Sequence, residues 1–444
     1  MNMKIASAFC LVFFAGLCAH AQSLTLEQAR TLALANSRSL ARHGQALRSI
    51  ALDERARVYQ NLPSLSLGAS GSMGLWSQAG APAIENPLDT FSAGASFGVS
   101  QRIFDGGRTS IQKAINEIAS QSARLEAMAE FFNVIDSADN AFYAVLEAEA
   151  TLEAEISSLE VARATLSIAE IRLSTGMINQ GEHLRALADM VARENAMNQA
   201  RRNVALQAAR LRSLLGLSHL PPLEPVDFAR YEALIERLGN ISDEDADALL
   251  ARLWQLIAAS NPAYAQAGLS TRRAERNLSM ALRGYAPTLS ASFSTGLNLY
   301  PEFGARGGSL SISASIPIDF WTIANGVDRS RIALESSMMD YAGASVSLEL
   351  DLQSALLNLF GFAGSALHTR LSLSYSERHF EFVEERYRLF QSSIAELNEA
   401  ATILINSRNN NIRASYGFLQ GLSRLRALGS IDDPDRLIDI LMMR

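Results

Sequence analysis

Two glutamates three positions apart, Glu396 and Glu399, are the residues of this 444-residue chain best placed to do chemistry together. Residues three apart lie on one face of a helix, so a helix here would present both carboxylates on the same side. Clustered carboxylates attract cations, and their mutual repulsion raises carboxylate pKa values. The alternative is a solvated helix face, which is the usual position of glutamates on a helix.

The rest of the sequence carries no signature of catalysis. It contains no phosphate-binding glycine loop, no histidine pair at metal-ligand spacing and no Gly-x-Ser-x-Gly segment. The run Asp105-Gly106-Gly107 is better explained as a turn between a strand and a helix than as a metal site. The net charge of −7 gives no support to nucleic-acid binding. We therefore expect no enzyme activity, no cofactor, no metal and no nucleic-acid partner.

The elements that must position the glutamates follow one plan that occurs twice. Each copy is an amphipathic helix, then two strands, then a long helical hairpin. We place the first copy at 22–220 and the second at 243–444, joined by a linker at 221–242 that begins with a proline-rich run. The predicted strands lie at about 64–76, 91–104, 288–300 and 309–320.

The two helical hairpins are predicted at about 109–215 and 324–428. Both stretches lack proline and are rich in alanine, leucine, glutamate and arginine, which favour helix. A helix of roughly 65 residues would extend about 100 Å, far beyond ordinary globular helices. The sequence therefore predicts coiled-coil packing of these helices.

Each predicted strand alternates apolar residues with serine or glycine. In the second strand, Phe97 and Val99 alternate with Ser96, Gly98 and Ser100. Side chains on a strand point alternately to two faces, so each strand has one apolar and one polar face. Roughly 10–12 residues is also the length that crosses a bilayer at a tilt. A soluble sandwich shows the same alternation, but four strands among hundreds of helical residues cannot bury such faces alone.

Strands of this kind in a membrane require several copies of the chain. Four strands cannot close a barrel, and open strand edges do not persist in lipid. Three copies would supply twelve strands, and the serine and glycine faces would leave the interior open and polar. Aromatic residues that cluster at the strand ends match interfacial belts, although each could be an ordinary core residue. They are Trp76, Phe91, Phe104, Tyr300, Phe320 and Trp321.

Residues 1–21 have the pattern of a secretory signal peptide, with Lys4, an apolar core and Ala19-His20-Ala21 as the cleavage site. Cleavage there removes both cysteines, Cys10 and Cys18. Lipidation of Cys18 is an alternative that the sequence leaves open. The remaining chain has no run of 18 apolar residues, so we expect strands rather than helices in an outer membrane.

Local patterns in both copies make the chain resemble the TolC-like outer-membrane efflux family. They are LTLEQARTLALANS at 24–37, LPSLSL at 62–67, SQRIFDGGR at 100–108 and SIPIDF at 315–320. The resemblance implies a mainly α protein with a membrane β-barrel part. Three chains would form a 12-stranded outer-membrane barrel that stands on an α-helical coiled-coil tunnel in the periplasm.

The resemblance also implies a function. A homotrimer would act as the passive exit duct of a tripartite efflux or type I secretion system, in contact with outer-membrane lipid. A periplasmic adaptor protein would join it to an inner-membrane pump, and the periplasmic end would stay closed until the pump docks. The cargo, the pump and the adaptor are left open. The alternative is a structural or adhesive coiled-coil envelope protein without a transport role.

By the same resemblance, the hairpin tips carry the functional residues. Gly176 and Met177 of the first tip correspond to adaptor contacts. So do Phe390 and Ser393 of the second, although Phe390 stands where the family usually has glycine.

Four further residues match gate positions of the family. Glu396 and Glu399 correspond to an acidic ring at the tunnel entrance, six carboxylates in a trimer. Tyr387 corresponds to a tyrosine that hydrogen-bonds an acid of the first hairpin, here Glu182. The alternative for Tyr387 is an ordinary packed surface tyrosine.

Overall fold

The computed structural model describes residues 23–60, 62–73 and 90–442. The predicted signal peptide at 1–21, Trp76 and the end of the predicted first strand lie outside these residues. The helices are α1 Leu26–Asn36, α2 Arg38–Gln60, α3 Arg108–Ser174, α4 Gln180–Leu215, α5 Glu232–Gly239, α6 Asp243–Ser260, α7 Pro262–Leu282, α8 Phe320–Arg388, α9 Ile394–Gly429 and α10 Pro434–Met442. The strands are β1 Ser64–Ser72, β2 Ser92–Phe104, β3 Thr288–Tyr300 and β4 Gly304–Ser315. The predicted fold class, mainly helical with paired strands in a duplicated plan, is confirmed.

The helix that precedes the strands is divided into two helices in each copy. In the first copy, the Ser37 hydroxyl accepts a hydrogen bond from the Leu40 backbone N–H at 3.2 Å. In the second copy, Asn261 Oδ1 accepts from the Tyr264 N–H at 2.9 Å, and Pro262 begins the new helix. Serine and asparagine satisfy free N–H groups at a helix start, so both breaks are built from side chains that favour caps.

The fourth strand differs from its prediction. The alternation predicts about 309–320, whereas β4 is Gly304–Ser315 and α8 already begins at Phe320. The reason is the start of its partner: β3 begins at Thr288, directly after Pro287, and Thr288 pairs with Ser315. Residues after Ser315 therefore have no partner on β3, and Pro317 has no N–H to donate to a ladder.

The four strands form one antiparallel sheet in the order β1-β2-β3-β4. The central β2–β3 pair joins the two copies, and β1 and β4 are the edge strands. One face carries serine hydroxyls that hydrogen-bond in pairs across β3 and β4. These pairs are Ser290–Ser313 and Ser292–Ser311 at 2.8 Å and Ser294–Ser309 at 2.9 Å.

The opposite face of the sheet is apolar and exposed in the protomer. It carries large exposed side chains from all four strands, among them Leu65, Leu67, Phe97, Phe293, Leu310 and Ile312. Aromatic residues lie at both ends of the sheet. Phe91 packs on Tyr300 with ring centres 5.4 Å apart, and Tyr285 stacks on Phe320 with ring centres 6.3 Å apart.

Helices α3 and α8 are 67 and 69 residues long, so each extends about 100 Å at roughly 1.5 Å per residue. Each folds back on a shorter partner: α3 packs against α4, and α8 packs against α9. The two hairpins contact each other mainly through α3 and α9. Among the described helices, none combines the length and the apolar composition that crossing a membrane requires.

The linker between the copies is a packed part of the molecule. Its backbone pairs with Leu24, whose N–H donates to the Pro222 carbonyl at 2.8 Å. Helix α5 of the linker lies against α8. At their contact, a Cβ on Gly239 would lie 3.2 Å from the Ala363 backbone, so glycine is what allows the two helices to approach this closely.

The main hydrophobic core lies partway along the hairpins, where the short helices pack on the long ones. Its fully buried residues include Phe142, Leu211, Leu253, Leu359 and Phe418. A second, smaller core lies at the hairpin ends and includes Ala169, Ala186, Tyr387 and Leu397. Both cores draw residues from both copies, so the hairpins are packed together at two levels.

A buried carboxylate of α3 lies in the main core, and its hydrogen bonds connect α3 to α1 and α9. Asp139 is 1% exposed and accepts hydrogen bonds from Arg30 Nε at 2.6 Å and Arg30 Nη2 at 2.8 Å. The Ser423 hydroxyl donates to it at 2.9 Å and Arg426 Nη1 at 3.4 Å. Burial lowers the pKa of Arg426, and the charge of Arg30 lowers it further. Asp139 is thus the anion that compensates two largely buried cations.

Replacement of Asp139 by asparagine should destabilise the fold strongly. Asp139→Asn leaves Arg30 and Arg426 without their anion, and loss of one member of a buried ion pair costs about 3–5 kcal/mol. Denaturant unfolding followed by circular dichroism measures the loss. The control is Asp435→Asn, which removes the exposed ion pair with Arg230 and should cost less than about 1 kcal/mol. Equal losses for the two variants would contradict the role of Asp139.

Replacement of the neighbouring Asp136 by asparagine should stabilise the fold at neutral pH, whereas replacement of Asp139 destabilises it. Burial raises the pKa of Asp136, and its Oδ1 is buried without a hydrogen-bond partner among the described residues. A carboxyl whose folded pKa is raised stabilises the fold when protonated, and this contribution is lost as the pH rises through the folded pKa. We therefore expect Asp136→Asn to be more stable than the unmodified protein at pH 7. The difference should shrink toward pH 4; a constant difference would contradict the assignment.

Candidate functional site

The candidate site is the pair of turns that end the helical hairpins, each separated from the sheet by the whole length of α3 or α8. Both turns have the same backbone design. Met177 N–H donates to the Arg172 carbonyl at 2.8 Å, and Gln391 N–H donates to the Arg386 carbonyl at 2.8 Å. This six-residue closure requires a left-handed residue just before the donor. Gly176, with φ of 72°, and Phe390, with φ of 63°, occupy that position.

The helices that leave the turns also begin alike. Asn179 Oδ1 accepts from the Glu182 N–H at 2.9 Å, and the Ser393 hydroxyl accepts from the Glu396 N–H at 3.2 Å. Glu182 and Glu396 therefore hold equivalent positions in the first turn of α4 and α9. Negative charge is favourable there because the free N–H groups of a helix start carry partial positive charge.

Glu396 and Glu399 both lie on the exposed side of α9, away from the buried Leu397 and Ala400. A hydrogen bond from the Ser392 hydroxyl, at 2.6 Å, lowers the pKa of Glu396, and a hydrogen bond from the Ser393 backbone lowers it further. Both carboxylates of the predicted pair thus face outward from a single protomer. The raised pKa expected for a carboxylate cluster would need glutamates from other copies.

Arg172 is a residue of this site that the sequence analysis missed. It lies in the last turn of α3 and is 6% exposed. Its guanidinium carbon lies 3.9 Å from the centre of the Tyr387 ring and 4.4 Å from that of Phe390. Its Nη2 also donates to the Tyr387 carbonyl, so this arginine connects the first hairpin to the second. The sequence did contain a signal for this contact: an arginine lies four residues before Gly176, and two aromatic residues lie at the turn of the second hairpin.

The predicted hydrogen bond between Tyr387 and Glu182 is not formed within this protomer. Tyr387 is 1% exposed, and its hydroxyl has no hydrogen-bond partner among the described residues. The physical reason is the position of the ring, which packs against Arg172 within the apolar core of the hairpin ends. Burial raises the pKa of Tyr387; the charge of Arg172 opposes the rise, and that of Glu182 adds to it.

The residues predicted as adaptor contacts have different structural roles. Met177 and Phe390 are exposed at the turns, as are their neighbours Ile171 and Leu389. Ser393 caps α9 through its hydroxyl. A Cβ on Gly176 would meet no heavy atom within 4 Å, so only its backbone conformation favours glycine. Phe390 adopts this conformation with a side chain, at a cost of about 1–2 kcal/mol.

In the part of the chain that the structure describes, no group of acidic, histidine or cysteine side chains is arranged to hold a metal ion. The site is therefore described by charge, aromatic contacts and exposed apolar surface.

Comparison with known proteins gives one family and several solved structures. The model of the family described as outer membrane efflux protein matches residues 29–217 and 253–429. The CmeC outer membrane channel of Campylobacter jejuni superimposes with a TM-score of 0.75 at 17% identity, covering 93% of this chain and 88% of that one. CusC superimposes with a TM-score of 0.77 at 15% identity, covering 94% of this chain and 95% of that one. The outer membrane protein VceC of Vibrio cholerae superimposes with a TM-score of 0.73 at 16% identity, covering 91% of this chain and 96% of that one. Among curated proteins, no sequence matches the chain.

The unpaired hydroxyl of Tyr387 leads to a testable expectation. Tyr387→Phe removes a buried group without a partner while it retains the ring under Arg172, so the free energy of unfolding should stay equal or rise by about 1 kcal/mol. Denaturant unfolding measures this change. Tyr375→Phe is the control, because Tyr375 is an exposed tyrosine of the same helix. A clear loss of stability in Tyr387→Phe alone would show that the hydroxyl has a partner after all.

Proposed function

The chain belongs to the outer membrane efflux protein family, and from this premise we propose that it forms a trimeric channel that serves as a passive exit duct across the outer membrane. It hydrolyses nothing and moves cargo only when a pump of the inner membrane drives it. The duct extends from a barrel in the outer membrane through the periplasm, where the helical hairpins form its wall.

The observation that carries this proposal is the sheet. One of its faces is lined by paired serine hydroxyls, while the other is apolar and exposed. Its edge strands, β1 and β4, are free to pair with other chains. Burial of the apolar face in lipid and pairing of both edges with neighbouring copies resolve both features at once. Three copies would close twelve strands around the serine-lined face.

The long helices support the same assembly. Helix α8 carries a row of exposed apolar residues at intervals of seven and four residues: Ile332, Met339, Val346, Leu350 and Leu357. Helix α4 carries exposed Leu184, Val191 and Leu206. Apolar residues at this spacing are typical of helices that pack side by side, so we propose that neighbouring protomers cover them.

The hairpin ends would form the periplasmic mouth of the duct. Glu396 and Glu399 are exposed on one side of α9, so three copies could present six carboxylates around one opening. Such a ring favours cations and focuses the local electric field. Exposed Met177 and Phe390 at the turns offer apolar contacts to a periplasmic adaptor, while Glu182 lies at the start of α4 nearby.

Ion selectivity tests both the channel and the proposed ring. The purified protein should conduct ions in a planar lipid bilayer with a preference for cations, and it should migrate as a trimer that resists dissociation by detergent. Glu396→Gln combined with Glu399→Gln should shift the reversal potential toward zero in a salt gradient. Loss of the six charges should remove most of the field at the mouth.

The matched control is Glu335→Gln with Glu349→Gln, which removes the same charge from exposed positions along α8. An equal shift in this control, or none in the Glu396 and Glu399 variant, would exclude the ring. Trimers without any conductance would exclude the channel and favour the alternative, a structural or adhesive coiled-coil envelope protein.

A further inference from the structure

The ends of the two hairpins are connected through one arginine. The Arg172 guanidinium lies over the rings of both Tyr387 and Phe390, at 3.9 and 4.4 Å from their centres. Its Nε is buried and has no hydrogen-bond partner among the described residues. A cation removed from water is stabilised by the negative faces of aromatic rings, so the two rings take the place of missing solvent.

Phe390 makes this contact against the preference of its own backbone. Its φ of 63° is a conformation that residues with a side chain avoid, and Gly176 shows that the equivalent turn forms with glycine. Burial does not explain the phenylalanine, because its side chain is 64% exposed. The contact between its ring and Arg172 is one that a glycine at this position could not make.

We propose that Arg172, Tyr387 and Phe390 form a tip clamp that holds the end of the second hairpin against the end of the first. The buried Tyr387 supplies one ring face and the carbonyl acceptor, and the exposed Phe390 supplies a second ring face. Any movement that separates the hairpin ends must break these contacts. The clamp is a property of one protomer and does not rest on the proposed channel; only its consequence for opening the mouth does.

Hydrogen exchange distinguishes the clamp from a phenylalanine that merely occupies a turn. Phe390→Gly removes the ring and also relieves the backbone strain. If the ring has no clamping role, both turns should exchange at the same rate or more slowly. If the clamp exists, the amides of Gly176 and Met177 on the other hairpin should exchange about threefold to tenfold faster, the range that one cation–π contact provides. Unchanged or slower exchange there overturns the proposal.

Two variants complete the comparison at the second turn. Phe390→Tyr keeps an aromatic face and should leave exchange at Gly176 and Met177 unchanged. Leu389→Ala removes an exposed apolar side chain from the adjacent position and should do the same. Faster exchange at the first turn in either variant would overturn the assignment to the ring of Phe390.

The reciprocal change comes from the first hairpin. Arg172→Met keeps an apolar stem but removes the charge, and the amides of Phe390 and Gln391 should then exchange faster. In the double variant with Phe390→Gly, exchange at Gly176 and Met177 should match that of Arg172→Met alone, because both changes remove one contact. Multiplied effects would show that the two residues act separately. Circular dichroism confirms that each variant retains its helices before exchange is compared.

Discussion

The ion-paired carboxylate of Asp139 is the interaction on which the rest of this structure depends. Helices of about 100 Å make most of their contacts with their nearest neighbours, so something must fix the two copies relative to each other. Asp139 does this by joining Arg30 of α1 to Ser423 and Arg426 of α9 across the main core.

The two copies end in turns with the same backbone design, but different residue types occupy the left-handed position of that design. The first turn uses Gly176, which costs little, and the second uses Phe390, which costs more. This difference between the turns accompanies a contact between the hairpins, because the ring of Phe390 in the second hairpin lies against Arg172 of the first. A duplicated sequence can thus become a coupled pair when one copy contributes a cation and the other supplies aromatic faces.

The helical core of the protomer buries its apolar side chains, whereas parts of its surface leave apolar side chains and strand edges exposed. Its sheet has an exposed apolar face and two edge strands, and α8 carries exposed apolar residues along much of its length. Exposed apolar surface of this extent is rare on a monomer, because it is unfavourable in water. The family to which the chain belongs fits this picture, since membership in an outer membrane efflux family implies a lipid environment for part of the surface.

By itself, the sequence determined the local plan. Alternating serine and apolar residues predicted the strands, and proline-free stretches predicted the long helices, because both patterns depend on neighbours a few positions apart. The end of β4 was misplaced because register depends on the partner strand, and β3 begins only after Pro287, where Thr288 pairs with Ser315. Only the tertiary structure decided which side chains meet across the copies. Arg172 and Tyr387 are 215 positions apart, and Arg426 and Asp139 are 287 apart. The packing of the Tyr387 ring against Arg172, which replaces the hydrogen bond predicted with Glu182, follows from three-dimensional burial that no local pattern encodes.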